Sequence, residues 1–303
     1  MSSVQSVSTF GSLQTLLQNM GEVQNSLSTS QEAISSGKAS QTFDGMASDV
    51  QQLTSISAQV TRITNYQSGN ATVIGQMQTT STVLGQIQNI ASSLKSLVQS
   101  QISGTLSGAS FKQQVKSQVE ALAAALNTNY GGNFIFAGAA TSAPPIKTPV
   151  PTNNAVGVPD ASYYQGSTLD PQVRISDSQL ITPGVNGSEL AFQQLFAGMN
   201  QALTAPDGAS GSDILTASEN LIDKGMQGVI TLQSRVNSNI LTVQQSNTQA
   251  QSVQTYYTGI VNSLTNADEI SLSAKVAQDT TVLQASFATF ARISQLSLVN
   301  FLK

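Results

Sequence analysis

The chain has 303 residues, which is long enough for one large domain or two ordinary ones with a substantial apolar core. Only 9% of the residues are charged, and 12 Lys and Arg against 16 Asp and Glu give a net charge of -4. Uncharged Ser, Thr, Asn and Gln must therefore supply most of the polar surface. His, Cys and Trp are absent, which excludes disulfides, thiolate or imidazole catalysis and the usual zinc ligands.

The distribution of charge and hydrophobicity excludes further classes of partner. The cations are scattered from Lys38 to Lys303 without a cluster, so we expect no nucleic acid to bind. No 18 apolar residues run together, so we expect no membrane insertion. The first twenty residues have neither a basic leader nor a continuous apolar run, so no cleaved signal peptide is expected.

The first segment has a heptad pattern. Apolar residues alternate in steps of three and four from Phe10 to Ile34, with Gln24 and Gln31 at two positions of the seam. Gly37 and a turn-like segment at 43–45 follow. The pattern predicts one helix that ends near residue 37.

Two further helices are expected before residue 130. The apolar seam resumes over residues 46–101 and again over 111–126. We expect Gly131 and Gly132 to stop the third helix in left-handed geometry, and residues 134–136 to enter a buried strand.

The middle of the sequence differs, because seven of its eight prolines lie within residues 140–190. Long helices are excluded there. Alternating stretches at 162–165 and 172–176 predict short strands, with turns at 166–167 and 183–184. We expect a small β-containing insertion.

Helical patterns return in the last third of the chain. A helix is predicted around 190–199, followed by a loop over 205–213. Residues 229–267 step by three and four without a slip, and the register restarts at 266–269 before a final apolar face that runs to the C-terminus. Two long helices are therefore predicted here.

These patterns together predict a mainly α fold, a long antiparallel helical bundle or coiled coil built from N- and C-terminal helices, with a small β-containing insertion in the middle. Three domains are expected: a terminal coiled coil from residues 1–40 plus 268–303, a helical rod from 41–139 plus 206–267, and a β-rich projecting domain from 140–205.

The sequence contains only weak matches to catalytic, phosphate-binding and metal-binding motifs. Ser-x-x-Lys occurs at 35–38 and 92–95 without the companion motifs of acyl-transfer enzymes. The glycine-rich segment 131–138 matches neither phosphate-loop pattern. Asp207 and Asp213 do not have calcium-loop spacing, and a helix connection and N-cap explain them better. We expect no catalytic residue, no cofactor and no metal site.

Several segments resemble the bacterial flagellin family. Residues 31–38 with Asp44 and Ala47 are similar to its Ser-Ser-Gly block, although the second Asp of that block is missing here. Three other segments resemble the hook-associated protein 3 type of that family, which joins hook to filament: Gly132–Gly138 with Pro145-Ile146, Tyr164-Gln165-Gly166, and Leu283–Leu298.

The resemblance implies an extracellular structural component of the flagellum that is exported through the flagellar type III channel. It implies a ring of subunits, a neighbouring hook-associated protein, flagellin and a cytosolic export chaperone as partners. It also implies that the terminal helices form an inner tube. The candidate assembly residues are Phe10, Leu13, Leu17, Met20, Leu27, Leu283, Phe287, Phe290, Ile293, Leu296 and Leu298.

The two ends of the chain contain few apolar residues. We therefore expect the termini to be loosely ordered in the monomer and to form stable helices when subunits stack. Flagellin itself is the close alternative. A secreted helical binding module and a soluble enzyme are the alternatives from other classes, and the enzyme lacks a reactive constellation in the sequence.

Overall fold

The computed structural model describes residues 2–39, 50–151, 157–207 and 209–301, with the backbone alone at 2–10, 209–210 and 295–301. Within these residues the chain forms six helices and four short strands. Their order is α1 (Ser2–Ser36), α2 (Val50–Ile102), α3 (Gly108–Leu126), β1 (Asn129–Tyr130), β2 (Asn133–Phe134), β3 (Val173–Ser176), β4 (Gln179–Ile181), α4 (Leu190–Thr204), α5 (Ala209–Thr265) and α6 (Glu269–Phe301).

The mainly helical class with a small β insertion is confirmed. The two longest helices, α2 with 53 residues and α5 with 57, are those with the longest predicted seams. The register restart predicted at 266–269 is the boundary between α5 and α6. The turn expected at 43–45 lies outside the described residues.

The chain divides into two compact units. The first consists of Met1–Thr61 and Val253–Lys303 and contains α1 and α6 with one end of α2 and of α5. The second, Arg62–Ser252, contains the rest of α2 and α5, with α3, α4 and all four strands. The division into three domains stays a prediction.

The second unit has one apolar core to which helices and the Pro-rich segment both contribute. Ile146, Tyr163 and Ile175 from that segment are at most 2% exposed and join the same buried cluster as the helices. The main helical members of the cluster are Leu84, Ile87, Leu94 and Val98 of α2, Phe111, Leu122 and Leu126 of α3, Phe192, Leu195 and Met199 of α4, and Ile222, Val229, Val236 and Val243 of α5.

Neutral polar side chains connect α2 and α5 across this core. The side-chain amide of Asn70 donates to Asn247 Oδ1 at 2.8 Å, and Gln88 Nε2 donates to Gln233 Oε1 at 2.8 Å. Because the partner number on α5 falls as the number on α2 rises, the two helices are antiparallel. Hydrogen bonds between amides fix their register without adding charge.

The glycine pair after α3 has a different role from the predicted one. Helix α3 ends at Leu126 with Asn127 as its C-cap, so the prediction that Gly131 and Gly132 stop the helix is wrong. Both glycines have positive φ, 60° and 91°, between the antiparallel partners Tyr130 and Asn133. This geometry is a two-residue hairpin turn of the primed type, which glycine adopts without strain.

The strands of the β insertion differ in part from those predicted. The strand expected at 172–176 is confirmed as β3, and its antiparallel partner β4 was not predicted. Residues 162–165 make only an isolated bridge, between Tyr164 and Ile146. Asp213 lies inside α5, which begins at Ala209, so its predicted role as an N-cap is wrong.

Candidate assembly surface

Helix α1 and helix α6 meet at a backbone joint. Gly37 follows α1 with φ of 67°, a left-handed conformation that ends the helix. The amide of Ala39 donates to the Thr265 carbonyl at 2.8 Å, and the amide of Ala267 donates to the Gly37 carbonyl at 3.0 Å. Asp268 Oδ1 then accepts from the first free amides of α6 at 3.2 Å, so α6 returns antiparallel along α1.

The interface between α1 and α6 is a seam that alternates in steps of three and four. Its members on α1 are buried or half-buried: Leu13, Leu16, Met20, Val23, Leu27, Ser30 and Ile34. Those on α6 are Leu272, Val276, Asp279, Leu283, Ser286, Phe290 and Ile293. One polar contact interrupts the seam, where Ser26 Oγ donates to Asp279 Oδ2 at 2.8 Å.

The structure brings six predicted assembly residues into this seam: Leu13, Met20, Leu27, Leu283, Phe290 and Ile293. Leu17 and Phe287 instead remain 49% and 55% exposed. The side chains of Phe10, Leu296 and Leu298 lie outside the described residues. The role of all these residues in assembly stays a prediction.

Sequence reasoning missed Leu16 and Val23, which occupy the seam where Leu17 and Gln24 were expected. The next seam residue after Leu13 is Leu16, three positions along the helix, whereas the prediction placed it four positions along, at Leu17. Both steps are compatible with a helix, so the sequence contained the correct residue but no signal that preferred it.

Helices α1 and α6 expose apolar side chains that a self-contained coiled coil would bury. Besides Leu17 and Phe287, Ile270 is 86% exposed and Val282 is 40% exposed. Apolar area of this kind is a source of association free energy, at roughly 25 cal/mol per Å² removed from water. A second helical surface placed against these residues would gain that energy.

The Ser-x-x-Lys motif at 92–95 forms no activated nucleophile. The Ser92 hydroxyl donates to the Gln88 carbonyl at 2.9 Å within α2. The Lys95 ammonium instead lies 2.8 Å from Asp223 Oδ1. The hydrogen bond that Lys95 donates to the Asp223 carboxylate raises the pKa of Lys95, which keeps this lysine protonated and unsuited to act as a base.

The motif at 35–38 is equally local. Ser36 Oγ donates to the Ala33 carbonyl at 3.4 Å and accepts from the Lys38 backbone amide at 3.3 Å. These contacts are typical of a helix end.

The described part of the chain contains no group of three or more acidic, His or Cys residues placed to hold a metal ion. No helix there is long and apolar enough to span a membrane. An open groove of about 630 Å³ between α2 and the first hairpin is lined by neutral side chains, among them Gln78, Thr82 and Tyr130.

Two segments that resemble hook-associated protein 3, residues 132–138 and 164–166, lie against each other. Gly138, at φ of 61°, packs against the Ser167 carbonyl so closely that a Cβ would collide with it. The Tyr164 hydroxyl hydrogen-bonds the carbonyls of Ser167 and Phe136, at 2.8 and 3.2 Å. The Tyr163 hydroxyl donates to the Gly187 carbonyl at 2.9 Å. These motifs therefore hold the insertion together.

Burial perturbs both tyrosines in the same direction. Desolvation, with a smaller contribution from Asp170, raises the pKa of Tyr164 to about 12. Desolvation also raises the pKa of the more deeply buried Tyr163.

A known family model matches the N-terminal part of the chain. Residues 7–141 match the model of the bacterial flagellin N-terminal helical region. The resemblance to the flagellin family is confirmed. The matched region runs from within α1 through α2 and α3 to the first hairpin, so it extends well past the terminal helix α1. No relative with a curated description matches the sequence.

Solved structures share the fold. A flagellar hook-associated protein from Vibrio parahaemolyticus is similar with a TM-score of 0.61 at 14% identity, over 73% of this chain and 100% of that one. Bacillus cereus FlgL is similar with a TM-score of 0.53 at 15% identity, over 70% of this chain and 99% of that one. The chain therefore has the same fold as these two proteins.

Proposed function

We propose that this protein is a structural component of the bacterial flagellum that joins the hook to the filament. The observation that carries the proposal is the terminal pair α1 and α6, which leaves Leu17 and Phe287 half exposed. The flagellin-type N-terminal region and the fold shared with hook-associated proteins support it.

In this proposal, α1 and α6 of neighbouring copies pack side by side and cover the exposed apolar side chains. Burial of one large apolar side chain contributes about 1.5–3 kcal/mol relative to its exposed state. A heterologous contact of this kind, repeated around an axis, closes a ring when the rotation fits. The ring then offers one end to a second hook-associated protein and the other to flagellin.

Delivery and partners complete the proposal. The chain leaves the cytosol unfolded through the flagellar export channel, and a cytosolic chaperone covers α6 until export. The low charge of the chain supports close packing of like helices, because few charges would need desolvation. Loose terminal helices in the isolated monomer remain part of this proposal.

Immunogold electron microscopy on purified flagella tests the location. We expect label in a narrow band where the hook ends. Label along the whole filament would overturn the adaptor role in favour of flagellin, and no label on flagella would favour a separate secreted binding module.

A variant pair tests the surface itself. We expect Leu17→Ser combined with Phe287→Ser to abolish assembly in complemented cells while the purified variant keeps its folding midpoint, because both side chains are already half exposed. The matched control is Gln18→Ser with Gln284→Ser, which changes the exposed neighbours of the same two residues. Normal assembly of the Leu17 and Phe287 variant would contradict the proposed surface.

A further inference from the structure

Asn186-Gly187 is the single Asn-Gly sequence in the chain, and it lies at a buried crossing of three segments. Asn186 is 4% exposed, just ahead of α4. Its side-chain amide donates to the Ser167 carbonyl at 2.7 Å and to Asp170 Oδ1 at 3.3 Å. Its Oδ1 accepts from the amide and the hydroxyl of Ser188 at 2.9 and 2.7 Å.

We propose that Asn186-Gly187 is a deamidation site that the folded protein shields and the unfolded chain exposes, and that its modification removes the ability to fold. In the reaction, the Gly187 backbone nitrogen loses its proton and attacks Cγ of Asn186. The new C–N bond forms as the Cγ–Nδ2 bond breaks, and ammonia leaves. Water then opens the succinimide to aspartate or isoaspartate, so no oxidant or reductant is needed.

Glycine makes this position reactive in an unfolded chain. It has no Cβ to hinder the approach of its own nitrogen to the preceding side chain, and its backbone visits the widest range of conformations. Every other Asn in the sequence is followed by a residue with a side chain. Asn186 is thus the most susceptible asparagine of the chain once the fold is lost.

The folded state blocks both reacting groups. The Gly187 amide donates to the Phe136 carbonyl at 2.8 Å, which holds the nucleophile. The Asn186 amide is held by Ser167 and Asp170, which fixes the electrophile. A rotation that brought nitrogen and Cγ together would break these bonds in a place where water cannot replace them.

The product does not fit the site. An aspartate at position 186 has no N–H for the Ser167 carbonyl, and its charge would face the Asp170 carboxylate across 3.3 Å. Isoaspartate also lengthens the backbone beside Gly187, where the Tyr164 ring and the Phe136 carbonyl already lie close. Folding of either product is therefore disfavoured.

The test compares the full-length chain in native buffer with the same chain in guanidinium chloride, both mildly alkaline and warm. Peptide mapping follows Asn186 and, as an internal reference, the exposed Asn262-Ser263 of α5. We expect Asn186 to deamidate more than about 100-fold faster in the unfolded chain, since native reaction requires opening of a buried segment. Equal rates at Asn186 in the two buffers would overturn the proposal.

Two variants check the consequence. Asn186→Asp should shift the unfolding midpoint to lower denaturant or prevent folding, whereas Asn262→Asp, at an exposed site, should leave it unchanged. Refolding of aged, unfolded wild type should leave the Asn186-modified molecules in the fraction that fails to fold. An Asn186→Asp midpoint equal to that of the wild type, or modified molecules that refold fully, would contradict the inference.

Discussion

Lys95 of α2 places its ammonium 2.8 Å from both carboxylate oxygens of Asp223 on α5. Glu219, one turn away on α5, lies 3.8 Å from the same ammonium and accepts from Gln99 Nε2 at 2.7 Å. The other hydrogen bonds described between the two helices are mostly made by neutral amide and hydroxyl side chains. A displacement of one helix along the other would leave these charges unpaired while still partly buried, which is costly.

Replacement of one member of this ion pair should therefore harm the fold more than replacement of both. We expect Lys95→Met and Asp223→Leu each to lower the urea midpoint, and the double variant to recover part of the loss. Circular dichroism during urea titration measures it. Lys116→Met, on the exposed face of α3, is the control and should change little. Independent, additive effects would show that the pair does not couple the helices.

Alkaline pH should destabilise the protein through its buried tyrosines. In the unfolded chain a tyrosine ionises near its usual pKa of 10, whereas Tyr164 in the fold keeps its proton up to about 12. The unfolded state then binds fewer protons, so the free energy of unfolding is intact below pH 10 and falls as the pH rises toward 12. Tyr163, with its pKa also raised, acts in the same direction.

Tyr163→Phe and Tyr164→Phe should start from lower stability, because each loses a hydrogen bond, but should lose less as the pH rises. Thermal melts across the alkaline range measure both effects. Tyr256→Phe, at a ring that is 66% exposed, should follow the wild-type profile. The same alkaline slope in all three variants would contradict the assignment.

Glycines on α5 permit the close approach of α4. A Cβ on Gly225 would lie 2.7 Å from Leu195 Cγ, and one on Gly228 would lie 2.6 Å from Ala191 Cβ. We expect Gly225→Ala and Gly228→Ala each to cost about 1–3 kcal/mol through overpacking. Gly259→Ala, on the same helix with nothing within 4 Å of its Cβ, should instead stabilise by up to about 1 kcal/mol. Denaturant titration of the three variants gives these values, and a stabilising Gly225→Ala would refute the packing account.

Two adjacent leucines test the register of the terminal seam. Leu16 is half-buried against α6 and Leu17 is 49% exposed. Leu16→Ala should lower the free energy of unfolding of the first unit by about 1–2 kcal/mol, since it removes packed methyl groups. Leu17→Ala should cost less than about 0.5 kcal/mol. Amide exchange of α1 measures both, and the reverse order would restore the register expected from the sequence.

Leu16 and Leu17 also show what apolar periodicity can and cannot predict. A seam that repeats every seven residues located α1, α2, α5 and α6, because the apolar spacing is a property of the whole segment. The choice between Leu16 and Leu17 depends on how α6 sits against α1, and that tertiary relationship has no trace in the local pattern.

Local chemistry was equally ambiguous at the first hairpin. Gly131 and Gly132 allow positive φ, which both a helix C-terminus and a primed hairpin turn require. The deciding contacts are distant in sequence: Asn127 exchanges hydrogen bonds with the backbone of Ile146 at 2.8 and 3.1 Å. The strand β4 was not predicted for a similar reason, since its three residues are too few to show an alternation of apolar and polar side chains.

The backbone joint between Gly37 and Ala267 gives the paired helices one closed end and one open end. Separation of α1 from α6 should then start at their free ends, at residues 2 and 301, and proceed toward the joint. Amide protection should therefore decline along α1 from Ser36 toward Ser2, with a mirror-image decline along α6 from Glu269 toward Phe301. A neighbouring molecule that binds the open end would raise amide protection along both helices at once.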